Sequence, residues 1–237
     1  MIDTHCHILP AVDDGARSVE EAVEMARIAA RDGVAVIVAT PHWNAASNSL
    51  SFEEIAERVR LLQDRLDSES IPVAVRPGAE VALVPELVDA AENGRLPRLG
   101  GSQFVLVEAP PYTTWEMMRH ILFELQLRGV QVVLAHPERA GPVLEDYSRA
   151  EELRAGGVRL QVVAADLVRR WSNSVGRLAR RLIRDGLADL LASDAHDARR
   201  QVPRLQHVRR MVDRLGGRGT FERLTRDAPA AILGMQA

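Results

Sequence analysis

Val130-Gln131-Val132-Val133-Leu134-Ala135-His136 is a short, mostly apolar run that follows Gly129 and ends in a histidine. Its branched residues show almost no polar alternation, so it reads as a strand buried on both faces, as in a parallel sheet. A segment of helical period precedes it at 114–127 and another follows at 148–155. The same unit recurs along the chain. Strands are expected at 2–5, 34–40, 73–80, 104–108, 130–136, 158–163 and 188–193, with helices at 18–31, 52–68, 114–127, 148–155, 172–184, 203–215 and 220–232. Ser18 followed by Glu21 has capping-box spacing, and Gly33, Gly129, Gly156 and Gly186 stand where helices should stop before a strand. Strand–helix alternation of this kind predicts an α/β fold of parallel βα units, and with seven expected strands a barrel accommodates the pattern. With 237 residues, no linker and no fixed-period repeat, one domain over 1–237 is expected.

Composition removes several classes of function. A formal charge of −3 and a pI near 6.2 provide no global basic field, so a nucleic-acid partner is not expected. All 30 basic residues are arginine. Without lysine there is no Schiff-base chemistry, no P-loop lysine and no carboxylated lysine bridging two metals. The one cysteine, Cys6, cannot form an internal disulfide, and no basic region followed by an apolar run opens the chain, so the cytoplasm is the expected compartment. Apolar runs such as 34–39 fall far short of the roughly 20 residues that span a bilayer, and no membrane insertion is expected.

Six of the seven strands end in, or run directly into, a residue that can bind a metal: His5 and His7, His42, Glu80, Glu108, His136, and Asp194 with His196. At the C-terminal end of a parallel barrel, side chains from separate strands converge on one mouth. His5 and His7 alternate along an extended segment and so share a face, with Cys6 pointing away as a small apolar side chain; Asp194-Ala195-His196 repeats the geometry. Glu80 and Glu108 follow apolar runs, where an unpaired carboxylate is strongly destabilising; a metal compensates for that burial, and an arginine salt bridge is the ordinary alternative. Either carboxylate of Asp13-Asp14-Gly15 can be a ligand, though the tripeptide is also a common turn sequence. Arg139, three residues beyond His136, can grip a phosphate bidentately, as can Arg199 or Arg200 beyond His196. His120 and His207 lie in expected helices and receive no role. The arginine-rich stretches 169–170 and 177–184 read as solvated helix surface, with a docking face for an acidic or phosphorylated tail as the alternative.

The opening 1–10 with Val12-Asp13-Asp14-Gly15, followed in order by Thr40-Pro41-His42, Gly78-Ala79-Glu80, Val107-Glu108, Ala135-His136-Pro137-Glu138-Arg139 and Ala192-Ser193-Asp194-Ala195-His196, resembles the polymerase and histidinol phosphatase (PHP) superfamily. More narrowly it resembles the bacterial PHP-type protein-tyrosine phosphatases of capsule and exopolysaccharide synthesis. The resemblance implies the PHP fold, a distorted seven-stranded TIM-like (β/α) barrel, and three divalent ions, usually manganese or iron. It maps the metal ligands to His5, His7, Asp14, His42, Glu80, Glu108, His136, Asp194 and His196, choosing Asp14 over Asp13, and the phosphate-binding arginine to Arg139. Two stretches depart from the family pattern: Gln161 to Asp166 replaces a polar Asn/Ser-containing stretch, and Arg199-Arg200-Gln201-Val202-Pro203 shifts a second substrate arginine, assigned to Arg200.

The expected function is therefore hydrolysis of phosphotyrosine by a metal-activated water, on a phosphotyrosine protein or peptide such as the tail of an exopolysaccharide-assembly tyrosine kinase. A cysteine-dependent phosphatase is excluded, since its loop needs arginine six residues after the cysteine and that position is Val12. The competing readings are a phosphatase for histidinol phosphate or a nucleotide and, from another class, a phosphoprotein-binding regulator without turnover.

Overall fold

The chain was analysed as a computed structural model that describes residues 1–47, 50–170 and 172–235; the last two positions of the expected domain lie outside the described residues. The strands are β1 (Ile2–Cys6), β2 (Val36–Ala39), β3 (His42–Trp43), β4 (Ala74–Pro77), β5 (Glu80–Ala82), β6 (Phe104–Glu108), β7 (Gln131–Ala135), β8 (Arg159–Val163) and β9 (Leu190–Ala192). They form two parallel sheets, β1-β2-β4 and β3-β5-β6-β7-β8-β9.

Two of the seven expected strand positions are each occupied by two short strands, which corrects both spans: 34–40 narrows to β2 with β3 beyond it, and 73–80 breaks between β4 and β5. The splits lie side by side: Ala39 pairs with Pro77 before the break and His42 with Glu80 after it. Pro41 and Pro77 have no N–H to give to a ladder. Gly78 allows a close approach here, since a Cβ on it would stand 2.8 Å from Val38 Cγ1. Counting each split strand once leaves seven strand positions around a ring. The ring closes where Asp194 N–H donates to the His5 carbonyl (2.9 Å) and His7 N–H to the Ala195 carbonyl (2.8 Å). Asp3, fully buried in β1, reinforces the closure by accepting from Ser193 Oγ (2.5 Å) and from the Ser193 N–H (3.0 Å). The result is the TIM-like α/β barrel expected from the alternation.

Helices cover the outside: α1 (Val19–Arg31), α2 (Phe52–Ser68), α3 (Leu87–Glu92), α4 (Trp115–Leu127), α5 (Gly141–Glu145), α6 (Ser148–Ala155), α7 (Ala164–Leu167), α8 (Ser174–Arg184) and α9 (Arg209–Gly216). The short α3, α5 and α7 carry too few periodic residues to show in the sequence. Ser18 caps α1 as its spacing suggests, but Glu21 reaches back to the Arg17 N–H, so the full capping box is found instead at Ser51 and Glu54 of α2. After α6 it is Gly157, at φ 90°, rather than Gly156 that takes the left-handed turn before β8. Near the C-terminus the expected helix 220–232 is interrupted by a π turn over Arg223–Asp227, directly before Pro229, which has no N–H to bond the Thr225 carbonyl.

One apolar layer, including Ile37, Val107, Leu134 and Val162, lies between barrel and helices. A second gathers Ile2, Val38, Leu106, Val133 and Leu190 with Ile232 and Leu233 of the C-terminal turn. This second layer fills the barrel interior as packed side chains rather than a pore, leaving the C-terminal strand ends as the place for polar groups.

The loop after β1 folds back onto it, with Ala16 N–H donating to the His7 carbonyl (3.0 Å). At Gly15 a Cβ would sit 2.1 Å from that same oxygen. Because the obstacle is backbone, Gly15→Ala is expected to destabilise the chain by roughly 1–3 kcal/mol. Urea unfolding measures this, and an unchanged midpoint would show that the loop can yield.

Candidate metal centre

Every strand-end residue singled out in the sequence arrives at one mouth. His5 lies one residue before the end of β1 and His7 follows the strand; His42 opens β3, Glu80 opens β5, Glu108 ends β6, His136 follows β7, and Asp194 and His196 follow β9. Among the described residues three groups have donor atoms within 4.8 Å of one another: His7, Asp14, His42 and His196; His5, His7 and Glu80; and His42, Glu80 and Glu108. The groups overlap through His7, His42 and Glu80. His136 Nε2 joins them at 2.8 Å from Glu80 Oε1, and Asp194 Oδ1 at 3.3 Å from His5 Nε2.

Backbone strain accompanies the convergence. His136 and Asp194 have φ of 30° and 53°. Left-handed backbone at a non-glycine residue costs about 1–3 kcal/mol and persists where the surroundings impose it. Here it turns each side chain from its strand direction into the mouth.

Two residues outside the expected ligand set orient the imidazoles. Gln161, buried on β8, accepts from His5 Nδ1 (2.9 Å) and donates to Thr4 Oγ1 (2.9 Å), which leaves His5 Nε2 facing the cluster. Asp13 accepts from His7 Nδ1 (2.7 Å), from the His42 N–H (3.0 Å) and from the Gly15 N–H (2.9 Å). The two carboxylates of the Asp13-Asp14 pair thus have separate tasks: Asp13 holds His7, and exposed Asp14 lies 3.4 Å from His42 Nε2 and 3.6 Å from His196 Nε2. A neutral polar side chain between the apolar Leu160 and Val162 of β8 was the signal for Gln161; the resemblance had separated Asp14 from Asp13 as the ligand, but nothing in the sequence showed that Asp13 holds His7.

Arg139 also reaches the mouth, with Nε donating to Asp166 Oδ2 and a terminal nitrogen to Asp194 Oδ2, both at 2.6 Å. Asp166 is fully buried and pairs as well with Arg169. Arg200 is exposed and lines the same cavity as Arg139, while Arg199 lies apart from it with the α1 side chains. Of the histidines given no role, His120 sits on α4 away from the mouth and His207 lies at the rim of the Arg139 cavity. Cys6 is buried in the outer apolar layer, and burial pushes its thiol well up, as befits packing rather than nucleophilic attack.

Charge in the cluster is strongly coupled. Burial pushes the His5 imidazole down, yet the Glu80 and Asp194 carboxylates outweigh it and raise it to about 9. His7 rises to about 9 in the same way, with the Asp13 and Glu80 hydrogen bonds overcoming burial. Asp13 is held at about 2 by His7 despite its own burial, and Glu80 is held well below the usual carboxylate range by the surrounding imidazoles. Glu108 rises because it is buried beside Glu80. Protons therefore occupy positions where a divalent cation would stand. The donors are nitrogen and oxygen only, with ring Nδ1 atoms anchored from behind on Gln161 and Asp13, a set that suits borderline divalent ions such as manganese, iron or zinc. The residues fit a multinuclear metal group.

A TIM-like barrel with a histidine–carboxylate mouth defines the class: a barrel hydrolase of the metal-dependent kind. Within it the chain belongs to the CpsB/CapC family of capsular polysaccharide synthesis, which it matches over residues 1–234. The tyrosine-protein phosphatase YwqE of Bacillus subtilis is 34% identical over 199 residues, covering 84% of this chain and 78% of the relative. The tyrosine-protein phosphatase CpsB of Streptococcus pneumoniae is 25% identical over 238 residues, 98% of each chain. A chain from the crystal structures of YwqE and CpsB, described as metal-dependent tyrosine phosphatases, superposes with a TM-score of 0.91 at 32% identity, covering 100% of this chain and 96% of that one.

The raised histidines give a pH dependence with a definite sign. In the metal-free chain the protons on His5 and His7 contribute stability that is complete below 6.5, their ordinary value, and lost as pH rises through about 9. The melting temperature of metal-free protein is therefore expected to fall across that window. A divalent ion on these nitrogens must expel the protons, so manganese added at about pH 7.5 should acidify an unbuffered solution. Gln161→Ala should weaken metal affinity by about 10–100-fold. A titration that releases no proton, or an affinity indifferent to Gln161, would remove these imidazoles from the ligand set.

Proposed function

We propose that this chain is a metal-dependent protein-tyrosine phosphatase acting as one domain over 1–237. In it His5, His7, Asp14, His42, Glu80, Glu108, His136, Asp194 and His196 hold three divalent ions, manganese or iron. The observation that carries the reading is Arg139: a partly buried guanidinium anchored from behind by fully buried Asp166 and bonded to Asp194 at the edge of the donor cluster. Carboxylate-rich metal clusters occur in many enzymes, but an oriented arginine fork beside one matches the tetrahedral oxygens of a phosphoryl group.

When bound, the ions supply Lewis-acid neutralisation of phosphoryl charge and acidification of water. The chain's own residues do the rest. Gln161 and Asp13 fix the tautomers and orientations of His5 and His7, so that both present Nε2 to the cluster. Arg139 keeps Nε on Asp166 and one terminal nitrogen on Asp194 and offers its remaining terminal N–H groups to the phosphoryl oxygens, with Arg200 on the same cavity as a second cation. A phenolate departs with less protonation than an alkoxide, so the site does not require a strong general acid when the substrate is an aryl ester. Cys6 takes no part.

Membership of a capsular polysaccharide synthesis family and likeness to tyrosine phosphatases support a phosphotyrosine protein as substrate. The tail of a bacterial tyrosine kinase is the partner we assign, and the cytoplasm the compartment where the two would meet. No described helix is long and apolar enough to cross a membrane.

The test is phosphate release from a phosphotyrosine peptide. Chelation is expected to abolish it and manganese to restore it. His136→Ala should lose it, Arg139→Ala should lower it by on the order of 10², and Cys6→Ser should leave it intact. Turnover that survives both chelation and His136→Ala would rule the reading out.

A further inference from the structure

Beside the metal cluster a cavity of about 210 Å³ opens between α7 and the segment 200–207. Arg139 and Asp194 form its inner end, and Arg200 and Arg204 stand on its rim. Between these ends Ala165, Val168 and Val202 supply an aliphatic strip, with Ser193, Gln201 and His207 as the polar part of the lining. Val168 is 52% exposed and Ala165 is exposed too, so the fold itself does not cover this strip. A single exposed valine means little. Three small aliphatic side chains converging on a cavity that ends at an oriented arginine make an amphiphilic slot. It is smaller than the roughly 300–1,000 Å³ of sites for drug-sized ligands, a size suited to one ring.

From this we infer that the slot is a ring subsite, in which the aromatic ring of the substrate lies on Val168, Ala165 and Val202 while its phosphoryl group reaches Arg139. The inference rests on the phosphatase reading and adds to it a physical basis for choosing aryl over alkyl phosphate. In an aryl phosphate the ring follows the ester oxygen directly, so a phosphoryl group at Arg139 leaves the ring against the aliphatic strip. A serine phosphate offers one methylene at that depth and leaves the strip wet. Discrimination by an apolar contact of this size is on the order of tenfold or more. Ala165 lies in the stretch Gln161 to Asp166, which stands in place of the Asn/Ser-containing stretch that the resemblance implies, and Val202 lies in the segment after β9.

The experiment measures binding rather than turnover. The manganese-loaded chain is titrated calorimetrically with phenylphosphonate and with methylphosphonate, which share the anionic head and differ only in the ring. Wild type is expected to bind the phenyl compound about tenfold more tightly. Val168→Ser should bring the ratio close to one while leaving methylphosphonate affinity within about twofold; Val168→Ile should retain the preference. No preference in wild type, or the same preference in Val168→Ser, overturns the ring subsite. A wild-type chain that prefers the phenyl compound yet releases no phosphate from a phosphotyrosine peptide fails the phosphatase reading alone.

Discussion

The carboxylate of Glu80 is 1% exposed and lies within 3.4 Å of nitrogens from His5, His7, His42 and His136. Removing such a group from water is expensive unless positive charge or a metal surrounds it, and the rest of the mouth is arranged to meet that demand. Its position depends on the paired break in the barrel wall. If the strand over 73–80 were continuous, Glu80 would end it; instead a new strand begins at Glu80, paired to His42, and the carboxylate enters the mouth between the imidazoles.

Around this centre lies a shell that binds no ion and fixes the groups that would. Gln161 stands behind His5, Asp13 behind His7 and Asp166 behind Arg139. Each is largely withdrawn from water, and each uses its hydrogen-bonding capacity on more than one partner. Rigid support of this kind matters because a displaced ligand loses both affinity and catalytic geometry. The left-handed backbone at His136 and Asp194 is part of the same economy: local strain is tolerated where the ring closure and the buried Asp3–Ser193 hydrogen bonds hold the chain in place.

Much of the site could be read along the chain because a parallel barrel has one productive end. Once strands were recognised from apolar runs, the residue just past each run was a candidate, and His5, His7, His42, Glu80, Glu108, His136, Asp194 and His196 all reach the mouth. Arg139 was a candidate by its offset from His136 and was assigned by the family resemblance, and the structure adds its anchor on Asp166. The motif match singled out Asp14 as the ligand, but the support that Asp13 gives His7 was not legible, since adjacent identical side chains in a loop differ only in what lies opposite them. The aliphatic strip of Ala165, Val168 and Val202 was hidden for a similar reason: α7 and the segment after β9 become neighbours only when the ring closes.

The amino-acid order by itself determined the alternation of strands and helices, the parallel barrel and the identity of the metal-competent residues. It could do so because periodicity and strand-end position are local properties, written within a few residues of each side chain. Tertiary structure alone decided where two strands break, that Gln161 and Asp13 lock the imidazoles, and that Arg139 faces the donors with an apolar slot beside it. Those outcomes depend on contacts between residues as distant as His5 and Gln161, and such contacts are set by packing around the closed ring.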